Sequence, residues 1–348
     1  FMKVKKTKIS IIGLGVIGKK HLEAIDKVDN AELVAVVDVN KKVLNYLDDN
    51  VSFYNSIDEL FNNEKVDGAI VSTPNNSHYK DVLNVIKYDC PVLVEKPITT
   101  NSNDTLELIN KSKKKNIDIL VGHHRRHNPI IKKAFDLINN NEIGKLRLVH
   151  ISCQMYKPSR YFENKSWSKN EGAGPIIVNL IHDLDLMNYL LGDIKSVFCN
   201  IKSSIRGFGN EDVANASIEF ENGVLGTILL SDSVASPWSW ELTSRENERY
   251  PYTGETCYFL GGTNGSIALP NLTIWKYRNE PDWLNPIFAK KIPFEFSDPL
   301  VNQIKHFVEV INKTTPPIIT AQIANKSIKV IEAMKLSAKT NKLVEIKN

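Results

Sequence analysis

The stretch "KISIIGLGVIGKKH", residues 8–21, decides the first part of the fold, because three glycines follow directly on an apolar, β-branched run. Gly13, Gly15 and Gly18 have the spacing G-x-G-x-x-G between a predicted strand and a predicted helix. In that context the first glycine permits a tight turn, the second lets a pyrophosphate approach the backbone, and the third lets helix and strand pack closely. Val16 and Ile17 lie within the motif, before the predicted helix whose N-terminus holds the pyrophosphate, and are candidate cofactor-binding residues. The stretch predicts a dinucleotide-binding turn.

A carboxylate follows the second apolar run. In "LVAVVDVN", residues 33–40, Asp38 ends the predicted strand and stands 38 − 18 = 20 residues after the last glycine of the motif. An acid at this distance binds the adenosine ribose hydroxyls, and its charge repels a 2′-phosphate. We therefore expect NAD as the cofactor and NADP as the less favoured one. Lys41 and Lys42 follow closely, either as helix-surface charge or as cations that soften this preference.

The first 125 residues alternate short apolar runs with segments of helical spacing. Fully apolar strands that alternate with helices indicate a parallel sheet covered on both faces. The predicted strands are Lys8–Ile12, Leu33–Val37, Ala69–Ser72, Val92–Val94 and Ile117–Val121, and the predicted helices are Lys19–Val28, His78–Lys87 and Thr105–Lys114. Ligands of such sheets bind in the crevice outside the carboxyl ends of the strands.

From about Leu146 onward, apolar and polar residues alternate, which indicates an antiparallel sheet with one covered face. The predicted strands are Leu146–Gln154, Val197–Ile205, Ala214–Phe220, Val224–Ser231 and Glu255–Leu260, and the predicted helices are Pro175–Leu191, Leu300–Asn312 and Ala321–Thr340. We therefore expect an α/β fold with two domains. The first, residues 1–125, is a Rossmann dinucleotide-binding domain. The second, residues 126–348, is an α+β domain for substrate binding and oligomerisation with a large, mainly antiparallel open sheet, whose closing helices could pack back on the first domain.

Two polar segments follow consecutive predicted strands and should line the cofactor cleft. "STPN", residues 72–75, contributes Ser72, Thr73, Pro74 and Asn75. "VEKP", residues 94–97, places Glu95 and Lys96 at the same edge of the sheet, where the nicotinamide would lie. A lysine held there offers a cation and three hydrogen-bond donors to a substrate hydroxyl or carbonyl oxygen, and it can take part in proton transfer.

Composition and charge argue against several classes of protein. The net charge is 44 − 40 = +4 with both signs interleaved, and no basic tail or stripe indicates a nucleic-acid partner. The four cysteines lie far apart without a C-x-x-C pair, so we expect no metal site and reduced thiols in a cytoplasmic protein. No stretch approaches the roughly 18 consecutive apolar residues of a membrane span, so we expect no membrane partner.

The motifs together resemble a known family. "GLGVIGKKH" (residues 13–21), "STPNNSH" (72–78) and "EKP" (95–97) are similar to motifs of the Gfo/Idh/MocA oxidoreductases, named for glucose–fructose oxidoreductase, inositol dehydrogenase and a rhizopine catabolism protein. "VGHHRRHNP" (121–129) and "GAGPIIVNLIHDLDLMNYLLGD" (172–193) extend the resemblance along the chain. The resemblance implies that His78 belongs to the cofactor site and that Lys96 contacts the reacting substrate oxygen. It also implies a cis peptide bond before Pro97, and homodimers or homotetramers built through the sheet of the second domain.

The resemblance further implies a catalytic histidine, and here the sequence departs from the family pattern. His182 would be the proton donor or acceptor in hydride transfer, supported by an Asp four positions earlier, but Val178 stands there. Asn179 or Asp185, each three positions from His182, could orient the ring instead. Alternatively Lys96 carries out the proton transfer, and His182 only hydrogen-bonds the substrate. Asn179 and His182 are therefore candidates for substrate binding as well.

Basic residues cluster after the last strand of the first domain. Candidate substrate-binding residues are His124 and Arg126 there, and Tyr156, Lys157 and Arg160 in a predicted loop of the second domain. If three or more basic side chains of these two segments face the substrate, the substrate is anionic, such as a sugar acid or a nucleotide-linked sugar. The alternatives are that Asp or Glu residues pair with these side chains, or that they bind neutral hydroxyls.

These observations favour an NAD-dependent dehydrogenase or reductase that transfers a hydride between nicotinamide and a hydroxyl or carbonyl carbon of a sugar, polyol or sugar derivative. One alternative is a redox-neutral NAD-dependent glycosidase or epimerase, which oxidises the sugar transiently and returns the hydride. Another is a non-catalytic sensor of a dinucleotide or sugar. The presence of both Lys96 and His182 argues against the sensor, whereas Val178 keeps it open.

Overall fold

The computed structural model describes residues 5–163 and 166–347 and divides into two compact units. The first unit comprises Phe1–His127 and Ser297–Ile328, and the second comprises Asn128–Phe296 and Lys329–Asn348. The chain therefore returns to the first unit before it ends. The functional domain boundary after residue 125 stays a prediction.

The first unit contains a six-stranded parallel sheet in the order β3-β2-β1-β4-β5-β6. Its strands are β1 (Thr7–Ile12), β2 (Ala31–Val37), β3 (Ser52–Tyr54), β4 (Gly68–Val71), β5 (Val92–Glu95) and β6 (Ile119–Gly122). The helices between them are α1 (Val16–Ile25), α2 (Ile57–Asn63), α3 (His78–Lys87) and α4 (Ser102–Lys115). This strand order is that of the Rossmann fold, so the predicted fold class is confirmed for this unit.

The parallel sheet is buried on both faces, as its apolar strands predict. Every residue of β4, β5 and β6 is buried, which is the condition of strands that helices cover on two sides. Several bounds differ from the sequence prediction by one to three residues, and helix α2 was not predicted. Helix α1 begins at Val16 rather than at Lys19, because Gly15 takes the N-cap position. The strand β3 was not predicted, since three half-buried residues carry too short an apolar pattern.

The second unit contains a nine-stranded sheet in the order β14-β13-β12-β11-β7-β10-β9-β8-β15. The elements in chain order are α5 (Pro129–Asn139), β7 (Leu146–Gln154), α6 (Ser159–Glu163), α7 (Ile181–Leu191), β8 (Ile194–Ser203), β9 (Glu211–Phe220), β10 (Leu225–Ser231), α8 (Trp240–Thr243), β11 (Tyr258–Gly262), β12 (Ser266–Leu269), β13 (Thr273–Lys276) and β14 (Phe288–Lys291). After these come α9 (Pro299–Ile311) in the first unit, α10 (Ala321–Thr340) and β15 (Val344–Glu345). The described strand pairs are antiparallel except for β7 with β10, which confirms the prediction of a mainly antiparallel sheet.

One face of this sheet is covered by helices of the same unit. Ile130 of α5 and Leu184 of α7 belong to one buried cluster with Val149 and Ile151 of β7. The hydroxyl of Ser337, on α10, accepts a hydrogen bond from the backbone N–H of Cys199 on β8 at 2.9 Å. The alternating pattern of the strands follows from this one-sided burial.

The helix predicted from Pro175 to Leu191 consists of two parts, which corrects the prediction. Ile176–Leu180 is π-helical, and α7 follows from Ile181. A π turn accommodates extra backbone within the same run of apolar residues, so apolar spacing could not distinguish it. The carboxylate of Glu211 on β9 accepts the N–H of Ile176 at 3.1 Å, at the start of this segment. The π segment ends two residues before His182.

Candidate functional site

The glycine turn has the geometry that a dinucleotide requires. Gly13 has φ +89°, and a Cβ there would lie 2.9 Å from the N of Thr73. A Cβ on Gly18 would lie 2.2 Å from the carbonyl oxygen of Gly13. At Gly15 a Cβ would meet nothing within 4 Å. Gly13 and Gly18 are therefore required by packing, whereas the open side of Gly15 is where a pyrophosphate can approach the backbone near Val16 and Ile17.

Asp38 follows β2 and is tied to the glycine turn. Its Oδ2 accepts the N–H of Leu14 at 2.7 Å, and its Oδ1 accepts the N–H of Asn40 at 2.8 Å. Each carboxylate oxygen can accept further hydrogen bonds, so both remain able to take a ribose hydroxyl. The carboxylate is half-buried and held by these two hydrogen bonds.

The segment after β4 packs against the same turn. The Ser72 hydroxyl donates to the carbonyl oxygen of Gly13 at 2.7 Å, and the Thr73 hydroxyl donates to Oδ2 of Asp81 at 2.6 Å. Pro74 is exposed and Asn75 is half-buried. The structure thus places the whole Ser72–Asn75 segment, the glycine turn and Asp38 at one edge of the first unit.

A buried contact between a histidine and a glutamate holds the end of β5. Nε2 of His21 lies 2.7 Å from Oε1 of Glu95, and both side chains are buried. Oε2 of Glu95 also accepts the N–H of Lys96 at 3.2 Å. Burial alone would raise the pKa of Glu95, but the hydrogen bond and charge of His21, and the charges of His124 and Lys96, lower it to about 2. Glu95 is therefore an ionised anchor for the residue that follows it.

Lys96 is half-buried, and a histidine holds each of its two neighbours in the chain. Glu95 precedes it, and the carbonyl oxygen of Pro97 lies 2.8 Å from Nδ1 of His78. The peptide bond between Lys96 and Pro97 is cis. Because Glu95 pairs with Gly122 in the register of β5 and β6, the residues that follow both strands, Lys96 and His124 among them, lie at the same sheet edge.

The basic segment after β6 forms a 3₁₀ turn, His124–His127, and is partly buried. Arg125 and Arg126 are buried, and His124 is half-buried. Burial lowers the pKa of His127 most, and the neighbouring His306, His124 and Arg126 lower it further, to about 3. The ring of His127 is therefore neutral, and the segment does not present five cations to a ligand.

In the second unit, His182 lies near the start of α7 and is 7% exposed. The next residue, Asp183, is buried and accepts a hydrogen bond from the Tyr258 hydroxyl. Asp185 is also buried. Asn179 is half-buried, and its side-chain oxygen has no hydrogen-bond partner among the described residues. The roles of Asn179 and Asp185 toward His182 stay predictions.

The predicted substrate loop of the second unit contains one cation that is already paired. Nζ of Lys157 lies 3.1 Å from Oδ2 of Asp232, and both side chains are buried. Arg206 also binds Oδ1 of Asp232, at 2.7 Å. Tyr156 and Arg160 are exposed. The pairing of Lys157 supports the alternative that acidic residues hold some of these basic side chains.

Several residues of these hydrogen-bond and ion-pair networks were not predicted from the sequence. His21 was quoted only as the end of the glycine motif, although its place three residues after Gly18 puts it on the same helix. Asp81 and Asp232 carried no local signal, because their partners come from other parts of the chain. Among the described residues, no group of three or more His, Cys, Asp or Glu side chains could hold a metal ion. No described helix is long and apolar enough to cross a membrane, and the predicted cytoplasmic location stays a prediction.

Fold and turn geometry together define an NAD-binding oxidoreductase. Residues 7–123 match the oxidoreductase family with an NAD-binding Rossmann fold, Gfo/Idh/MocA, and residues 131–268 match the Gfo/Idh/MocA C-terminal domain. The chain belongs to the Gfo/Idh/MocA family, which confirms the resemblance. NAD, and the predicted class of oxidoreductase acting on CH–OH groups, follow from this membership.

Individual relatives are distant. The chain is 24% identical to myo-inositol 2-dehydrogenase of Thermotoga maritima over 350 residues, covering 97% of this chain and 98% of the relative. It is 27% identical to 2,7-anhydro-N-acetylneuraminate hydratase of Escherichia coli over 265 residues, covering 74% and 66%. The crystal structure of the WlbA dehydrogenase of Bordetella pertussis with NADH and UDP-GlcNAcA shares the fold, with a TM-score of 0.81, 19% identity, and coverage of 99% and 100%.

Proposed function

We propose that this chain is an NAD-dependent dehydrogenase or reductase that acts on a hydroxyl or carbonyl carbon of a sugar, polyol or sugar derivative. The observation that supports it is the mounting of Lys96. Glu95 before it is held by His21, and Pro97 after it is held by His78. A cation on so rigid a support, at the strand-end edge that carries the dinucleotide turn, suits the oxygen of a substrate.

Each group would have a separate role in the proposed reaction. Bound NAD would supply the redox chemistry, by accepting or returning a hydride. Lys96 would donate hydrogen bonds to the substrate oxygen and stabilise its negative charge as the proton leaves. His182 would accept or return that proton, with Asn179 or Asp185 orienting the ring, or Lys96 would do so itself.

We also propose that NAD is preferred over NADP. Two backbone N–H groups already hold the carboxylate of Asp38, so it cannot easily turn away from a ribose. A fixed negative charge accepts the two hydroxyls of an unmodified ribose and repels a 2′-phosphate. The lysines at positions 41 and 42 are exposed and offer only weak compensation.

The test is formation of NADH when the protein and NAD meet neutral sugars, polyols and sugar acids. Sugar acids belong in the panel because Arg160 is exposed and His124 is half-buried. Lys96→Met should lose about 10²- to 10⁴-fold in turnover while still binding NAD. Lys114→Met, which removes an exposed lysine of α4, should keep wild-type turnover. Wild-type turnover in Lys96→Met would overturn the assigned role.

A second candidate is redox-neutral chemistry on a sugar derivative. The observation that favours it is the similarity to 2,7-anhydro-N-acetylneuraminate hydratase of Escherichia coli. Hydration, the reaction in that name, involves no net oxidation. In this case the same Lys96 and His182 would move protons, and the hydride would return to the substrate. Substrate loss without NADH, in protein that copurifies with NAD, would distinguish this candidate from the first.

We further propose a homodimer or homotetramer built through the second unit's sheet. The face opposite the helices exposes Leu148 (54%), Leu225 (60%), Leu229 (44%) and Phe259 (47%). Leu225 pairs directly with Leu148 in the register of β10 and β7, so the exposed groups are contiguous. Apolar patches of this kind usually mark interfaces. Light scattering should show an oligomer, and Leu225→Lys combined with Phe259→Lys should give a monomer; a monomeric wild type would contradict the proposal.

A further inference from the structure

His78 has an unusual pair of neighbours. It is the first residue of α3 and is 1% exposed. Its Nδ1 lies 2.8 Å from the carbonyl oxygen of Pro97, and its Nε2 lies 2.8 Å from the carbonyl oxygen of Thr73. Both distances are those of good hydrogen bonds.

The two partners restrict the chemistry of the ring. A carbonyl oxygen only accepts hydrogen bonds, whereas a neutral imidazole has one N–H and one lone pair. A neutral His78 would therefore hold a lone pair against one of the two carbonyl oxygens at 2.8 Å. Only a doubly protonated ring, the imidazolium, donates to both.

The surroundings provide a counter-charge for such a ring. Asp81 lies three residues further along the same helix and also accepts the Thr73 hydroxyl. Burial raises the pKa of the Asp81 carboxyl, while the Thr73 hydroxyl and the charge of His78 act to lower it. The dipole at the start of α3 opposes a cation there. Asp81 in the first turn offsets that dipole, and two direct hydrogen bonds act at shorter range than the dipole does.

The ring connects two loops that belong to different strands. Thr73 follows β4 and contacts the position of Gly13 in the dinucleotide turn. Pro97 follows β5, directly after Lys96. With both carbonyl oxygens bound to one rigid ring, the distance between these loops is set by the width of an imidazole. His21 acts on the other side of Lys96, through Glu95.

We propose that His78 is a positioning residue whose imidazolium cross-links the loops after β4 and β5 and so holds Lys96 in the orientation that turnover requires. The part of this proposal that concerns Lys96 rests on the proposed function. His78 itself touches neither cofactor nor substrate in this role, which differs from direct cofactor binding.

The state of the ring is measured first, because that measurement needs no substrate. The full chain is labelled with ¹⁵N in its eight histidine rings, and the His78 signals are assigned by their loss in His78→Gln. We expect both ring nitrogens of His78 to carry protons at neutral pH, each coupled to a slowly exchanging hydrogen. A ring with one unprotonated nitrogen overturns the imidazolium cross-link, whatever the enzyme does.

Kinetics test the positioning role. In His78→Gln both N–H donors belong to one nitrogen, which cannot take the place of two ring nitrogens that point in different directions, so kcat on the best substrate of the panel should fall about tenfold to a hundredfold. The affinity for NAD, titrated separately, should fall by a clearly smaller factor. Tyr79→Phe is the matched control: it removes the hydroxyl that binds Glu107 on the outer side of the same helix, and should leave both quantities unchanged.

Equal losses of kcat and NAD affinity in His78→Gln, or an unchanged kcat, would overturn the positioning role. If His78→Gln does not fold, the ring measurement on the wild type still decides the cross-link, with assignment by elimination using variants of the other histidines. Full turnover in Lys96→Met would instead refute the proposed function and leave the state of the His78 ring as measured. The two failures are therefore distinguishable.

Discussion

Replacing His127 by Phe should reduce the loss of folding stability that mild acid causes in the first unit. His127 is half-buried with both ring nitrogens buried, and its ring lies 5.4 Å from the ring of His306, centre to centre. Burial, and then the charges of His306, His124 and Arg126, lower the pKa of His127 from 6.5 to about 3. Phe keeps an aromatic ring at this place and removes the ionisation.

The expected magnitude follows from the difference between the folded and unfolded states. As the pH falls below about 6.5, the unfolded ring binds a proton and the folded ring does not, so the free energy of unfolding decreases until the pH reaches about 3. Between about pH 7.5 and about pH 5.5 this removes about 1.4 kcal/mol, or roughly 3–5 °C of melting temperature. The pKa of His306 is also lowered by burial, but it contributes equally to wild type and variant.

The assay is equilibrium unfolding at several pH values in that range. All five tryptophans belong to the second unit, so their fluorescence follows that unit, whereas far-UV circular dichroism follows both. In His127→Phe the loss of stability between the two pH values should be about 1.4 kcal/mol smaller than in the wild type. His150→Gln, in the second unit, should keep the wild-type dependence. Identical pH dependence in His127→Phe and wild type would refute the reasoning.

The remaining predictions also concern the first unit. Gly18→Ala should lower the melting temperature, because its Cβ would lie 2.2 Å from a backbone oxygen. Gly15→Ala should melt like the wild type but bind NAD about tenfold more weakly or worse. Equal melting temperatures of the two variants would contradict this reasoning. Glu95→Gln should lower the free energy of unfolding at neutral pH by about 2 kcal/mol, because the buried hydrogen bond of His21 loses its charged acceptor. Since the pKa of Glu95 is lowered to about 2, its contribution to the free energy of unfolding is lost as the pH falls from about 4.5 to about 2. Urea titrations at several pH values should find this loss in the wild type and not in Glu95→Gln. Asp38→Asn should shift the ratio of NAD to NADP affinity about tenfold toward NADP in parallel titrations, and an unchanged ratio would be evidence against its role.

Local sequence predicted the Rossmann fold of the first unit, apart from β3 and α2. The glycine spacing, Asp38 and the apolar strands each act over a few residues, through backbone freedom, charge and burial. The bounds of α3 and α10 were predicted as the structure has them, because their apolar spacing covers whole turns. Lys96 could be singled out for the same reason, since a charge directly after a buried strand has few structural explanations.

Tertiary structure alone decided which strands pair and which side chains bind one another. The short strands β12, β13 and β14, four residues each, carry too little pattern for prediction and exist because neighbouring strands supply their hydrogen bonds. Nothing in the sequence placed Asp232 beside Lys157, Glu95 beside His21, or two carbonyl oxygens on the ring of His78. Periodicity reports whether a side chain faces the interior, because that depends on its own strand or helix. What it meets there depends on where the rest of the chain runs, and a hydrogen bond or ion pair acts only over a few ångströms between groups that the fold has brought together.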